Sequence, residues 1–221
     1  YKKAYEQRAA FSVPGMEYQV LYRLSRIYSF QKRYGLMEAV LKQIAANDAM
    51  FNGERFSLFR ENLIKLFTNR GFDEAFKLNR IPESFATDAY AQLAHYYYVT
   101  WNFEPAFLPA LFSVISPMTE AMLAIRQVRP GYQFTTLTDF LAVSLRIGSV
   151  RDYLTDREFF KRLYYLALIS YEKVTVRDSG QAFLRVLAQT DAAGEYQRLA
   201  RLQLANPWRE SRIDEDVRSN P

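Results

Sequence analysis

Apolar residues recur every three or four positions almost from end to end of this chain, and that spacing points to helices throughout. In YQVLYRLSRIYSF, Val20, Leu24, Ile27 and Tyr28 fall on one helical face, and in RYGLMEAVLKQIAAND, Leu36, Val40, Leu41 and Ile44 keep step. LTDFLAVSLRIGSVRDYL and DREFFKRLYYLALISYEKV are further amphipathic stretches. Strict two-residue alternation, the mark of a half-buried strand, is missing. Eight glycines and eight prolines in 221 residues are also few for a protein built on many tight turns. The expected fold class is all-α, with about ten to twelve helices of ordinary length.

The stops are legible too. Asn69-Arg70-Gly71 divides FSLFRENLIKLFTNRGFDEAFKLNRIPES into two helices, because glycine accepts the left-handed conformation that ends one. Pro82, Pro117, Pro130-Gly131 and Pro207 are expected to punctuate the rest. The longest apolar run, around Ala106 to Ile115, is interrupted by Pro109 and falls short of the ~20 residues that span a bilayer, so no membrane insertion is expected. The organisation expected is a lead-in over 1–17, a helical domain over 18–205 and a tail over 206–221. In that tail Arg209, Arg212 and Arg218 alternate with Glu210, Asp214, Glu215 and Asp216, and Trp208 either caps the last helices or docks on a partner.

The same arrangement of side-chain sizes recurs along the chain. From Tyr90, offsets of 3, 4, 7, 11, 13 and 16 give Leu93, Ala94, Tyr97, Trp101, Phe103 and Ala106. From Leu21 they give Leu24, Ser25, Tyr28, Lys32, Tyr34 and Met37; from Leu137, Phe140, Leu141, Ser144, Gly148, Val150 and Tyr153. Weaker copies start at Leu163 (Leu166, Ala167, Ser170) and near Phe56 (Phe59, Leu63). Large residues fill the space between two short antiparallel helices, and the small one lets the second helix approach. These motifs resemble the tetratricopeptide repeat, whose period is ~34 residues, and nearly as well the pentatricopeptide repeat. The resemblance implies stacked antiparallel helical hairpins in an α-solenoid with a concave binding face. In the pentatricopeptide family a base-reading side chain lies two residues after the position held by Tyr90, which carries that role to Gln92 and, from Leu137, to Asp139. Neither is the residue type usual there, and Asp139 would repel phosphate.

Catalytic and cofactor chemistry finds little footing. No cysteine is present, which removes disulfides, thiolate nucleophiles and Cys-ligated metals. No N-x-[ST] sequon, glycine-rich phosphate loop or E-x-x-H pair occurs. Ser29-Phe-Gln-Lys32 matches S-x-x-K, but its partner motifs S-D-N and K-T-G are absent. His95, the one histidine, lies seven residues after Asp88 with no nucleophile to serve, and reads as packing. An enzyme, a cofactor and a small-molecule substrate are therefore not expected.

Twenty-nine Lys and Arg against 24 Asp and Glu give a net charge of +5, compatible with an acidic or RNA-rich setting. IRQVRPGYQF places Arg126, Arg129 and Tyr132 in a loop able to neutralise and stack single-stranded RNA. Arg23, Arg26 and Arg33 stand near tyrosines, where a solvated helix face with Arg stems lying along it is the simpler reading. The function expected is a non-enzymatic adaptor or assembly subunit that binds other protein subunits. The alternative is direct binding of single-stranded RNA, and Arg126, Arg129, Tyr132, Gln92 and Asp139 are the candidate contacts. By resemblance the setting expected is a mitochondrial ribonucleoprotein complex, with the bacterial envelope or the cytoplasm as alternatives. The first residue is Tyr1, which reads as a fragment or a processed product.

Overall fold

The computed structural model describes residues 1–208, which form twelve α-helices and four short 3₁₀ turns, with no strand among the described residues. Arg209, Glu210, Arg212, Asp214, Glu215, Asp216 and Arg218 of the expected tail lie outside the described residues. The buried side chains form one continuous cluster from Leu21 to Ala200. Helix α1 (Lys2–Glu6) buries nothing of its own and is held from outside, with Arg23 Nη1 donating to the Tyr1 hydroxyl (3.4 Å) and Gln43 Nε2 to the Tyr5 hydroxyl (2.7 Å).

Two helix pairs show how the size pattern becomes structure. Helix α2 (Met16–Phe30) packs on α3 (Tyr34–Ala46), and α6 (Thr87–Val99) packs on α7 (Phe103–Val128). Leu21, Ser25, Tyr28 and Met37 are buried in the first pair; Tyr90, Leu93, Ala94, Tyr97 and Ala106 in the second. The turns match as well. Lys32 (φ 58°) and Trp101 (φ 59°), both at offset 11, are left-handed. Beyond them Arg33 N–H donates to the Tyr28 carbonyl (2.8 Å) and Asn102 N–H to the Tyr97 carbonyl (2.7 Å). This six-to-one bond satisfies a carbonyl that the helix end leaves open, and a glycine usually makes it.

Helix α7 departs from expectation. Pro109 and Pro117 lie inside a 26-residue helix instead of ending it. An interior proline costs ~3 kcal/mol in a helix. Against that stand Phe107, Leu111, Phe112, Ile115, Met118 and Ile125, each almost wholly buried and each contributing ~1.5–3 kcal/mol. Burial outweighs local propensity. Thr119 Oγ1 donates to the Ile115 carbonyl (2.9 Å) and accepts from Ile81 N–H (3.3 Å), fastening the 79–86 connection along the helix. Among the described residues α7 alone is long and apolar enough to cross a membrane, but 78% of its most apolar window is buried inside the protein.

The remaining helices pack on α7 or on helices that do. Helix α4 (Ala49–Asn52) leads into α5 (Ser57–Leu78), which Gly71 breaks as expected with φ 80° and ψ 177°. Phe67 of α5 meets Phe107 of α7 edge-on at 5.3 Å. Helices α8 (Leu137–Ser144) and α9 (Gly148–Asp156) bury Leu137, Phe140, Leu141, Ser144 and Val150 of the third copy. Helix α10 (Phe159–Glu172) packs on both α6 and α7, then α11 (Arg177–Ala188) and α12 (Glu195–Ala205) pack in succession. The chain then folds back on α12: the buried Gln203 amide donates to the Trp208 carbonyl (2.9 Å) and accepts from its N–H (3.3 Å).

Gly180 marks a close crossing, of α10 with α11. A Cβ there would lie 2.5 Å from Tyr171 N and 2.7 Å from the Ala167 carbonyl oxygen. Both neighbours are backbone, so Gly180→Ala must push the helices apart at a cost of ~1–3 kcal/mol or more. Gly71→Ala meets open space and carries only the ~1–3 kcal/mol of a backbone conformation that suits glycine. Thermal unfolding should show both losses. A Gly180→Ala variant as stable as wild type would contradict the close crossing.

Candidate functional site

The packed face of α6 uses Tyr90, Leu93, Ala94 and Tyr97, which leaves Gln92 and His95, three residues apart, on an adjacent stripe. Helix α10 does likewise: Leu163 and Leu166 are buried, and Glu158, Lys161, Arg162 and Tyr165 run along the side facing α6. Between these stripes lies a cavity of about 60 Å³, closed at its floor by Ser113 of α7. A second, more open trough of about 480 Å³ lies between α6 and the α2–α3 pair, lined by Arg26, Ser29, Phe30, Tyr34 and Met37. Gln92 and His95 border both spaces, so cavity and trough adjoin along α6 and together make up the groove across α2, α6 and α10. The His95 and Tyr165 rings lie 4.4 Å apart across it.

The groove's charge is concentrated on α10. Arg162 is 7% exposed. Its Nη2 donates to Asp88 Oδ1 at 2.6 Å and its Nη1 reaches the Thr87 carbonyl at 3.5 Å, while its Nε has no partner. Lys161 pairs with Glu158 at 3.1 Å on the surface, where such a pair contributes at most ~1 kcal/mol. Arg26 makes no hydrogen bond or ion pair with any described residue. Beside this region Tyr22 Oη donates to the Phe85 carbonyl (2.7 Å) and accepts from Ala89 N–H (2.9 Å), which fixes the start of α6 and with it Asp88.

The residues singled out in the sequence divide between two places. Gln92 lies in the groove. Arg126 stands in the last turn of α7 rather than in a loop, with Arg129 as the residue that caps it; both are exposed. Arg126 Nε donates to the Tyr132 carbonyl (3.3 Å), and the Tyr132 hydroxyl donates to Asp139 Oδ2 (2.8 Å). Arg126, Tyr132 and Asp139 therefore form one bonded cluster whose carboxylate stands beside the candidate stacking ring. Phe134 of the same segment is buried against Phe76, their centroids 4.6 Å apart. Sequence reasoning missed Lys161, Arg162 and Phe30. The polar set at spacings of three and four inside the aromatic DREFFKRLYY was the available signal for the first two.

Other polar clusters have structural roles. Asp48 accepts from the Ser84 and Tyr90 hydroxyls, both at 2.7 Å, and from Met50 N–H at 2.9 Å, tying α4 to α6. Among the described residues no group of three or more His, Asp and Glu could hold a metal ion. Comparison with protein-family models, curated proteins and solved structures finds no match.

Two expectations follow from this chemistry. Asp88 is half exposed and can be rehydrated if its partner goes, whereas the buried Arg162 cannot. Asp88→Ala should therefore cost more than Arg162→Met, by ~1–3 kcal/mol in chemical denaturation. Equal losses would contradict the stated burial.

The tyrosines supply the second expectation. Burial raises the phenol pKa of Tyr22, Tyr90, Tyr132 and Tyr153 above the ordinary value and pushes Tyr97 up to about 12. The unfolded chain releases these protons near pH 10, so their contribution is intact below about pH 10 and lost as pH rises through the folded values. Tyrosinate absorbance and helical circular dichroism, followed together, should show an early phase with helicity intact and a late phase that coincides with unfolding. A single phase near pH 10 with no loss of helix would contradict this.

Proposed function

We propose that this chain is a non-enzymatic helical-repeat adaptor whose groove across α2, α6 and α10 holds a segment of a partner protein. The observation that carries the reading is Phe30. It is the most exposed large apolar side chain among the described residues, at 91%, and it stands in the trough beside Arg26, which no described residue pairs. An aromatic face in water next to a guanidinium has the composition of a binding hot spot. The equal turn geometry of the α2–α3 and α6–α7 pairs supports a stack of hairpins, in which groove side chains can vary without disturbing the core. A place in a mitochondrial ribonucleoprotein complex is part of the proposal by resemblance alone.

Direct RNA binding through Arg126, Arg129 and Tyr132 is the competing outcome. The Asp139 carboxylate bonded to Tyr132 weighs against it, because a phosphate brought to that ring would meet a like charge.

The test is affinity capture with the tagged full chain from native lysate, with and without RNase. It compares wild type with the double variants Phe30→Ala/Arg26→Ala and Arg126→Ala/Arg129→Ala. A protein that survives RNase, is kept by the second variant and is lost from the first is the expected result. Recovery that RNase abolishes, or that depends on Arg126 and Arg129, would replace the adaptor reading with RNA binding.

A further inference from the structure

We propose that the trough between α2 and α6 receives an acidic amphipathic helix of the partner protein. Its apolar side chains lie against Phe30 and the trough lining, and its carboxylates against Arg23 and Arg26. The inference rests on the groove reading above and adds the chemistry of the occupant.

The first argument is uncompensated charge. Between Glu17 and Glu38 the chain carries Arg23, Arg26, Lys32 and Arg33 and no carboxylate. The cations of α10 are answered inside the protein, Arg162 by Asp88 and Lys161 by Glu158. The arginines of this stretch are not. Among the described residues Arg23 bonds only the Tyr1 hydroxyl, at 3.4 Å, and Arg26 has no hydrogen bond or ion pair. Arg33 lies over the Tyr28 ring, 5.9 Å from its centre. Glu38, the next carboxylate along, is already engaged by Lys42 and by the Tyr97 hydroxyl. No carboxylate among the described residues lines the trough. A surface of one sign selects a partner segment of the other.

The second argument is pattern. Arg23, Arg26, Ile27 and Phe30 are all exposed and stand three or four residues apart, so they form one stripe about two turns long on α2. The usual order of a surface helix is altered here, with apolar side chains set in water among the cations. A helix laid along the stripe offers its own side chains at the same intervals. Apolar ones meet Ile27 and Phe30, and acidic ones meet the two arginines.

Shape decides between occupants. The trough holds about 480 Å³ and is lined by Tyr34, Met37 and Tyr96, the last two almost wholly buried. That lining suits apolar side chains entering from a folded segment. A bilayer surface is flat and does not enter a trough. A single-stranded nucleic acid binds chiefly through its phosphates, and inside the trough only Arg26 is there to meet one.

The experiment selects from a phage library of random peptides about sixteen residues long, some four turns of helix. The baits are the tagged full chain as wild type, as Arg23→Glu/Arg26→Glu and as Phe30→Ala. All three positions are exposed, so each variant should keep the wild-type melting temperature and helical circular dichroism. Peptides enriched on wild type are synthesised and titrated by fluorescence anisotropy, with oligouridine and phosphatidylserine vesicles as competitors. The expected peptides carry Asp and Glu in excess over the unselected library and an apolar residue every third or fourth position. They should bind about tenfold more weakly, or worse, to the charge-reversed variant and to Phe30→Ala, and more weakly as salt is raised.

Peptides that need Phe30 but show no acidic excess, or that bind the charge-reversed variant as well as wild type, would overturn the acidic assignment and leave the groove standing. No enrichment, or enriched peptides indifferent to Phe30, would count against the groove itself. Displacement of the peptides by oligouridine or by the vesicles at lower concentration than the unlabelled peptide would assign the surface to nucleic acid or to lipid instead.

Discussion

Everything in this fold answers to one requirement: α7 must be covered. Every residue from Pro109 to Thr119 is buried, so three turns of helix are covered all round and need neighbours on every side. Helices α5, α6, α9 and α10 provide them, and the 79–86 connection is fastened along it through Thr119 and Glu120. Two interior prolines are tolerated because the surroundings hold the helix more firmly than its own hydrogen-bond ladder does.

Covering α7 also creates the groove. Helices α6 and α10 both pack on α7 and only sparingly on each other, so their flanks stand apart over Ser113. Helix α3 packs on α6 from the other side and carries α2 with it, which opens the trough next to Phe30. Polar bonds then fix the spacing. Tyr97 donates to Glu38 (2.9 Å) between α6 and α3, Tyr90 to Asp48, and Arg162 to Asp88 between α10 and α6. The binding surface proposed is thus the seam left where helices are held by a common core rather than by one another.

Local information was well represented in the sequence, and distant pairing was not. The stripe Tyr90, Leu93, Ala94, Tyr97 and the turn at Trp101 were readable because size and spacing act within one pair of helices. The break at Gly71 was readable for the same reason. Pro117 misled, since a proline in isolation stops a helix and only a full tertiary environment reverses that. The partnership of Arg162 with Asp88 spans 74 residues, and nothing in either segment announces it. Arg126, Arg129 and Tyr132 stood out by composition, yet two of the three spend their polar groups on one another and on Asp139. Gln92 was reached through a base-reading analogy and lies in the groove for a different reason, its place beside His95 on the free stripe of α6.

The groove is the central claim, and photocrosslinking from single positions tests it most directly. A benzoylphenylalanine is placed at Phe30 in one version of the full chain and at Arg129 in another, and each is irradiated in native extract. The account predicts a discrete protein adduct from position 30 that RNase leaves unchanged, and none from position 129. An adduct formed only from position 129, or one from either position that RNase removes, would contradict it.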